Sequence, residues 1–330
     1  MSKKGEVMKK VMFFAVALFL ACTAPADTIY AVGDSITKGT NITNPYPKTV
    51  SAWTGMPAVN LGIGGTQLAE EIAAIYGVQP MPSDKVLLLT GYNDMRYFGA
   101  TTAHWEQSLR AVLAWLATST KYTAQSLAAT GAWTNVSSTV NPIGRWSATA
   151  GSTLTATTRG AVVYVGSIQQ TNLTGSFLVS VDGVDYGPYQ TQGGTTYAGG
   201  KNYGPVLIRI DGLADTTHSV VVKVLSGRVY CDWIGHPTPG PSVYAGEVLR
   251  MRATSYALGA PFNKGSDAAV AAYTAALQAH IATLTADGLT ITFVPLKYDP
   301  ATQVLTSDRV HPSENGQATM AISWLKAMGY

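Results

Sequence analysis

Five residues of this sequence could carry out acyl transfer if a fold brought them together. Ser35, in the stretch Tyr30–Gly39 "YAVGDSITKG", ends a short apolar run and stands at the head of a possible helix. A hydroxyl becomes a nucleophile only when a base takes its proton and a third group orients that base. Of the five histidines, His104 and His280 fall in helical patterns, while His218 and His236 fall in β-rich sequence or at its exit. Structural or solvated roles are expected for those four. His311 differs, because it follows Asp308 by three residues in "TSDRVHPSENG". That short arc lets the carboxylate meet imidazole Nδ1–H and leaves Nε2 for the serine proton.

Ester hydrolysis also needs donors for the charge that develops on the carbonyl oxygen. Gly65, in "NLGIGG", offers a backbone N–H with no side chain to block approach. Asn93, in "GYND", offers an amide, and the Ser35 N–H would be a third donor. Taken singly, each has a plainer reading: Gly33-Asp34-Ser35 as a surface turn, the glycines as a tight turn, Asn93 as an Asx-turn. Their shared placement changes this. Ser35, Gly65 and Asn93 each follow the apolar run of a predicted strand, and Asp308 and His311 follow the last one. Open α/β sheets bind ligands at the carboxyl ends of their strands.

The elements that must position these residues are legible at both ends of the chain. "TIYAV", "AVNLGIGG" and "KVLLLTGYND" read as continuous apolar strands, the kind found in a parallel sheet covered on both faces. Trp105, Leu109, Val112, Leu113 and Leu116 predict one apolar helix face. Val270, Tyr273, Leu277, Ile281 and Leu284 predict another, with Ser266 as N-cap and Gly288 as stop, before the strand "LTITFVPL". The middle is different. Phe177, Val179 and Val181, then Val206, Ile208 and Ile210, then Val220, Val222 and Val224 alternate with other residues and end at Asp-Gly or Ser-Gly turns. Such strands describe an antiparallel β-sandwich.

Composition bounds the rest. The chain has 330 residues, 46% of them hydrophobic and only 12% charged. Four lysines precede the apolar run "VMFFAVALFLA", and Ala24-Pro25-Ala26 follows, the order of a secretory signal peptide. Losing residues 1–26 removes four lysines and Glu6, which takes the formal charge from +3 to zero. No basic footprint for nucleic acid is then left. The expected location is secreted or periplasmic, with no transmembrane span in the mature chain; lipoprotein anchoring through Cys22 in "LFLAC" is the alternative. Cys231 is then the sole cysteine, in an apolar neighbourhood that suits a buried small hydrophobe. No cluster at ligand spacing calls for a metal, and the scheme needs no cofactor.

The four blocks "GDSI", "NLGIGG", "GYND" and "DRVH", in this order, resemble the SGNH hydrolases, also called the GDSL esterase/lipase family. The resemblance spans about Thr28 to Leu127 and Tyr244 to Tyr330. It implies a three-layer α/β/α sandwich with a parallel sheet, Ser35 as nucleophile, Gly65 and Asn93 as oxyanion-hole residues, and His311 with Asp308 as base and orienter. Ile36 stands where Leu is usual, and Tyr92 where Thr is common. Asp34 and Tyr92 are candidate substrate contacts. The middle segment looks broadly like the jelly-roll carbohydrate-binding modules.

The expected organisation is a signal peptide over 1–26, a hydrolase domain over 27–131 and 236–330, and an inserted all-β sandwich over 132–235. The expected activity is that of an exported serine ester hydrolase on a small-molecule or polysaccharide ester, above all a carbohydrate O-acetylesterase. The alternatives are a short-chain esterase or lipase with a structural β-module, or a non-catalytic glycan-binding protein on a hydrolase scaffold. Trp133, Trp146, Tyr197 and Tyr203 could stack on sugars, but core packing is the expectation for each.

Overall fold

The computed structural model describes residues 27–193, 203–250, 256, 263–300, 308 and 310–330. The expected signal peptide, Cys22 and Tyr197 lie outside the described residues. Among the described residues, no helix is long and apolar enough to cross a membrane.

The first three apolar runs form β1 (Ile29–Gly33), β2 (Ala58–Asn60) and β3 (Lys85–Leu89). Around them lie the single turn α1 (Ser35–Lys38), α2 (Tyr46–Thr54), α3 (Ile72–Tyr76) and α4 (Thr102–Ala117). Thr101 caps α4 by accepting from the His104 N–H, satisfying one of the donors a helix start leaves free. The predicted apolar face of α4 is buried, but so is every residue from Ala111 to Ala117. A helix with one solvent face would not look so; α4 is covered on two sides.

What covers it is the β-rich segment. Its strands are β4 (Lys121–Thr123), β5 (Ala128–Thr130), β6 (Thr134–Asn135), β7 (Arg145–Ser147), β8 (Thr153–Arg159) and β9 (Val163–Gln170). There follow β10 (Ser176–Val181), β11 (Val184–Gln190), β12 (Tyr203–Ile210), β13 (Thr217–Ser226), β14 (Val229–Cys231) and β15 (Trp233–Gly235). They form sheets ordered β11-β10-β13-β8-β5, β12-β9-β15-β4 and β14-β7-β6. Phe177, Val179 and Val181 pair with Val224, Val222 and Val220, and all six point into one core. Asp182 and Gly183, both at positive φ, make the two-residue turn between β10 and β11. Cys231 is free and buried in that core.

Antiparallel pairing reaches upstream of residue 132, since β4 pairs with β15 and β5 with β8. The short strand "KYT" carries no apolar alternation by which sequence could reveal it. Entry and exit of the segment lie side by side: Thr118 bridges Pro239, and the Ser119 hydroxyl meets that of Thr238 at 2.9 Å. β12 shows why α4 is buried all round. Ile208 and Ile210 face the sandwich core, while Leu207 joins Trp115, Tyr164 and Trp233 in the core that α4 occupies.

The chain then returns to the parallel sheet with β16 (Ser242–Gly246), α5 (Asp267–Ala286), β17 (Ile291–Val294) and α6 (Glu314–Met328). Ser266 caps α5 through the Ala269 N–H, and Gly288 follows its end at φ 99°. β16 was not singled out by the sequence patterns, yet it is a central strand. The order is β17-β16-β3-β1-β2 and every pair is parallel. Val32, Val86 and Leu88 face α3, α4 and α5; Ala31, Leu87 and Leu89 face α2 and α6. Helices therefore cover both faces, in three α/β/α layers. The chain runs from β1 to β2 on one side and resumes at β3 on the other, so the switch point lies between β1 and β3.

Candidate active site

Ser35 is held at the β1 exit by the residues before it. A side chain at Gly33 would come within 2.2 Å of the Leu89 carbonyl, so only glycine lets β1 and β3 approach here. Asp34 then caps α1, its Oδ1 accepting from the Ile36 N–H at 2.8 Å. The chain bends, and Ser35 projects at the switch point.

Ser35 Oγ lies 2.8 Å from His311 Nε2, across 276 residues of sequence. His311 Nδ1 lies 2.7 Å from Asp308 Oδ2. An ionised carboxylate only accepts, so Nδ1 carries the proton and Nε2 presents its lone pair to the serine O–H. Asp308 is itself fixed: Oδ1 accepts from the N–H groups of Val310 and His311 at 2.8 and 3.0 Å. Asn41 donates from Nδ2 to Oδ2 at 3.1 Å, tying the loop after α1 to the acid. The sequence patterns did not point to Asn41; its φ of 63° marks a turn rather than a partner.

The loop after β2 passes beside the serine. A Cβ placed on Gly64 would sit 3.9 Å from the Ser35 Cβ, whereas the space around Gly65 is open, with its φ at 79°. Asn93 Nδ2 donates to the Thr66 carbonyl at 3.0 Å. An amide nitrogen carries two hydrogens, so one tethers this loop and one is left to serve a ligand. Asp94 accepts from the Leu68 N–H at 3.2 Å, and Glu71 Oε1 is hydrogen-bonded to the Thr66 hydroxyl at 3.0 Å. Residues 66–68 are thus stapled from three sides by Asn93, Asp94 and Glu71.

The structure revises the reading of Asp34 and Tyr92 as substrate contacts. Both are buried, at 3% and 2% exposure. Asp34 is spent on the N–H groups of Ile36 and Asn93; burial raises its pKa to about 7, and those hydrogen bonds oppose the rise. The Tyr92 hydroxyl donates to the Val310 carbonyl at 3.3 Å and accepts from the fully buried Arg96 guanidinium. Its ring stands 5.5 Å from that guanidinium. The Tyr92 side chain therefore braces the segment leading into His311.

Three buried carboxylates lie behind the loop. Burial raises Asp94 to about 7 and lifts Glu71 well above the ordinary range, and mutual repulsion with Asp34 adds to both. No sequence pattern marked Asp94, Glu71, Asn41 or Arg96, because their roles depend on strands distant in the chain. Three of the other histidines have structural partners: His218 meets Asp182 at 2.6 Å, His236 meets Thr158 at 2.6 Å and His280 meets Glu106 at 3.3 Å. His104 is buried on α4.

No family model and no curated protein matches the chain. Among solved structures, a two-domain esterase active on acetylated mannans is 15% identical, covering 69% of this chain and 94% of that one, with a TM-score of 0.37. The CBM36-1 domain of a multidomain xylanase from the hindgut metagenome of Trinervitermes trinervoides is 13% identical, covering 34% and 92%, with a TM-score of 0.26. A family GH115 4-O-methyl-α-glucuronidase with specificity for decorated arabinogalactans is 16% identical over 34% of this chain, with a TM-score of 0.27; this chain spans 17% of that protein. At these scores the likenesses carry no argument about the chemistry of this chain.

Proposed function

We propose that this chain is a serine ester hydrolase of the SGNH type, with Ser35, His311 and Asp308 as its triad. The observation that carries the reading is the continuous relay from Ser35 Oγ through the imidazole to Asp308, at 2.8 and 2.7 Å, on the carboxyl rim of a parallel sheet.

The chemistry follows from the geometry. His311 Nε2 takes the Ser35 proton as Oγ attacks the ester carbonyl, and Asp308 stabilises the imidazolium that forms. The oxyanion is held by the N–H groups of Ser35 and Gly65 and the second amide hydrogen of Asn93. The imidazolium returns its proton to the departing alkoxide, which leaves an acyl-serine. Water, deprotonated by His311, then releases the acid and restores the hydroxyl. No step asks for a metal or cofactor.

The substrate we propose is an acylated carbohydrate, and the activity an O-acetylesterase. Support comes from the sandwich joined to the catalytic body, with its resemblance to carbohydrate-binding jelly rolls. The division we propose is a signal peptide over 1–26 and a two-part body around an inserted module, in a secreted or periplasmic protein; the module's start moves from the expected residue 132 back to Lys121, because β4 and β5 pair into its sheets, and its end stays at 235. One observation favours a structural rather than a targeting module: Leu207 and Trp233 are buried against α4. The test compares acetate released from acetylated xylan and mannan with hydrolysis of p-nitrophenyl acetate. Activity on both that disappears in Ser35→Ala is expected. Turnover of the small ester equal to that of Ser35→Ala would overturn the enzyme reading, and turnover of the small ester alone would favour the short-chain esterase.

A further inference from the structure

The loop that carries Gly65 is held by a few hydrogen bonds at its two ends. The Ile63 N–H donates to the Gly33 carbonyl at 2.9 Å, which hangs the loop on the β1 exit just before Ser35. At the other end, the Thr66 hydroxyl lies 2.9 Å from the Ile63 carbonyl, and the Thr66 carbonyl accepts from Asn93 Nδ2 at 3.0 Å. Gly64 and Gly65, both exposed, span the gap between those anchors, with Gly65 at φ 79°. Glycine has no side chain to restrain its own backbone, so the direction of the Gly65 N–H depends on Ile63 and Thr66.

The Thr66 hydroxyl has two oxygen neighbours, the Ile63 carbonyl at 2.9 Å and Glu71 Oε1 at 3.0 Å. A hydroxyl carries one hydrogen, while a carbonyl oxygen and an ionised carboxylate can only accept. With Glu71 ionised, one of the two contacts would have no hydrogen in it. With Glu71 protonated on Oε1, both are hydrogen bonds: Glu71 donates to Thr66 Oγ1, and Thr66 donates to Ile63. The surroundings agree. Glu71 is 1% exposed, and its Oε2 is sealed from solvent without a partner. That suits the carbonyl oxygen of a neutral acid and is costly for a carboxylate. No cation is paired with Glu71 among the described residues. The charged groups that act on it are Asp34 at the β1 exit, Asp94 after β3 and its neighbour Glu70, all acidic; burial and then these charges lift its pKa well above the ordinary range. Glu71 also acts on the Tyr46 phenol of α2, which burial keeps protonated. Of the three buried carboxyls, only Glu71 needs its proton. Asp34 accepts from the N–H groups of Ile36 and Asn93, and Asp94 from that of Leu68, roles an ionised carboxylate fills equally well.

We propose that Glu71 is a neutral carboxylic acid whose O–H donates to Thr66 Oγ1, and that through Thr66 and Ile63 it is a positioning residue for the Gly65 N–H of the oxyanion hole. The role of Gly65 rests on the esterase reading; the proton on Glu71 does not. When that proton leaves, the Thr66 hydrogen turns to the new charge, because charge-assisted hydrogen bonds are the stronger ones. The Ile63 carbonyl is then released, and the turn that aims Gly65 opens.

The test has a spectroscopic and a kinetic half. In the full chain carrying ¹³C at glutamate Cδ, the signal that vanishes in Glu71→Gln should titrate well above the ordinary glutamate value of about 4.3. The Gly65 amide signal should move along the same curve, and in Glu71→Gln, whose Nε2 donates as the acid does, that movement should be gone. An ordinary titration of Glu71, or a Gly65 amide that does not follow it, would overturn the proposal whether or not the protein is an esterase. On p-nitrophenyl acetate, kcat should fall on the alkaline side along the Glu71 curve with KM nearly constant, since an oxyanion donor acts in the transition state. That fall should be absent in Glu71→Gln. Below neutrality, Glu71→Leu and Thr66→Val, each shown folded by circular dichroism, should lose about tenfold in kcat, less than the roughly 10²–10³-fold of removing a donor outright. Glu71→Gln should recover most of the Glu71→Leu loss. A Glu71→Gln protein as impaired as Glu71→Leu, or one that keeps the alkaline fall, would overturn the positioning role. Turnover no greater than that of Ser35→Ala would end the esterase reading alone, and the carboxyl and amide signals would still decide the proposal.

Discussion

The two regions of this molecule bury their polar groups very differently. Beneath the parallel sheet's carboxyl rim, Asp34, Gln67, Glu71, Asn93, Asp94 and Arg96 are all nearly inaccessible. In the sandwich Phe177, Val179, Val181, Val220, Val222 and Val224 of β10 and β13 fill the core, His218 is buried near the start of β13, and the buried carboxylate Asp232 accepts from the buried Asn141 amide at 2.7 Å. A buried carboxylate is expensive unless neutralised or hydrogen-bonded. The body gathers three such carboxylates, Asp34, Glu71 and Asp94, behind one loop, whereas the sandwich buries Asp232 beside its amide partner Asn141. The clustering of mutually repelling buried carboxylates, rather than polar burial as such, distinguishes the body from the sandwich.

The strongest way to break this comparison is at the relay itself. Asp308→Asn should reduce kcat on p-nitrophenyl acetate by about 10⁴-fold, because the imidazole loses its orienting acceptor, while the melting temperature stays nearly unchanged. A loss of only a few-fold would detach Asp308 from the chemistry. Asn93→Ala should follow with a fall of about 10²–10³-fold in kcat, as expected for one oxyanion donor. It should also loosen residues 66–68, visible as faster amide exchange there, since the Thr66 tether goes with it.

Leu207→Ala probes the seam. Removing this side chain from the shared core should cost about 3 kcal/mol and lower a single unfolding transition for the whole protein. Two separate transitions, with only one displaced, would mean that body and module do not share stability.

The smallest effect sharpens the contrast in clustered carboxylates. Asp34 and Asp94 have folded-state values near 7, and Glu71 is also raised. The native state therefore keeps protons that the unfolded chain releases above about pH 4. Stability from these groups is full below the unfolded values and declines as pH rises toward 7. Glu71→Gln removes one titrating carboxyl and its repulsion of the other two. It should gain on the parent protein between pH 4 and pH 8, by about 1 kcal/mol at the upper end. A difference in melting temperature that is the same at both pH values would count against a coupled cluster.

Much of this architecture was readable from local pattern. The apolar runs at Ile29–Gly33 and Lys85–Leu89 became central parallel strands, and the spacing from Trp105 to Leu116 became α4. The alternating valines of β13 faced the sandwich core. Other features escaped for physical reasons. β16, "SVYAG", has too few residues to show a period, yet it lies between β3 and β17. Tyr92 reads as a pocket residue in a strand exit, but a buried arginine four residues on draws it into the scaffold.

By itself, the sequence determined which residues could be nucleophile, base, orienter and donor, because those roles depend on side-chain chemistry and on position after an apolar run. Only the tertiary structure decided that Ser35 and His311 meet, that Asn41 braces Asp308, and that α4 is enclosed by the sandwich. Such contacts depend on the order of strands in a sheet and on which faces press together. Local periodicity carries no record of either.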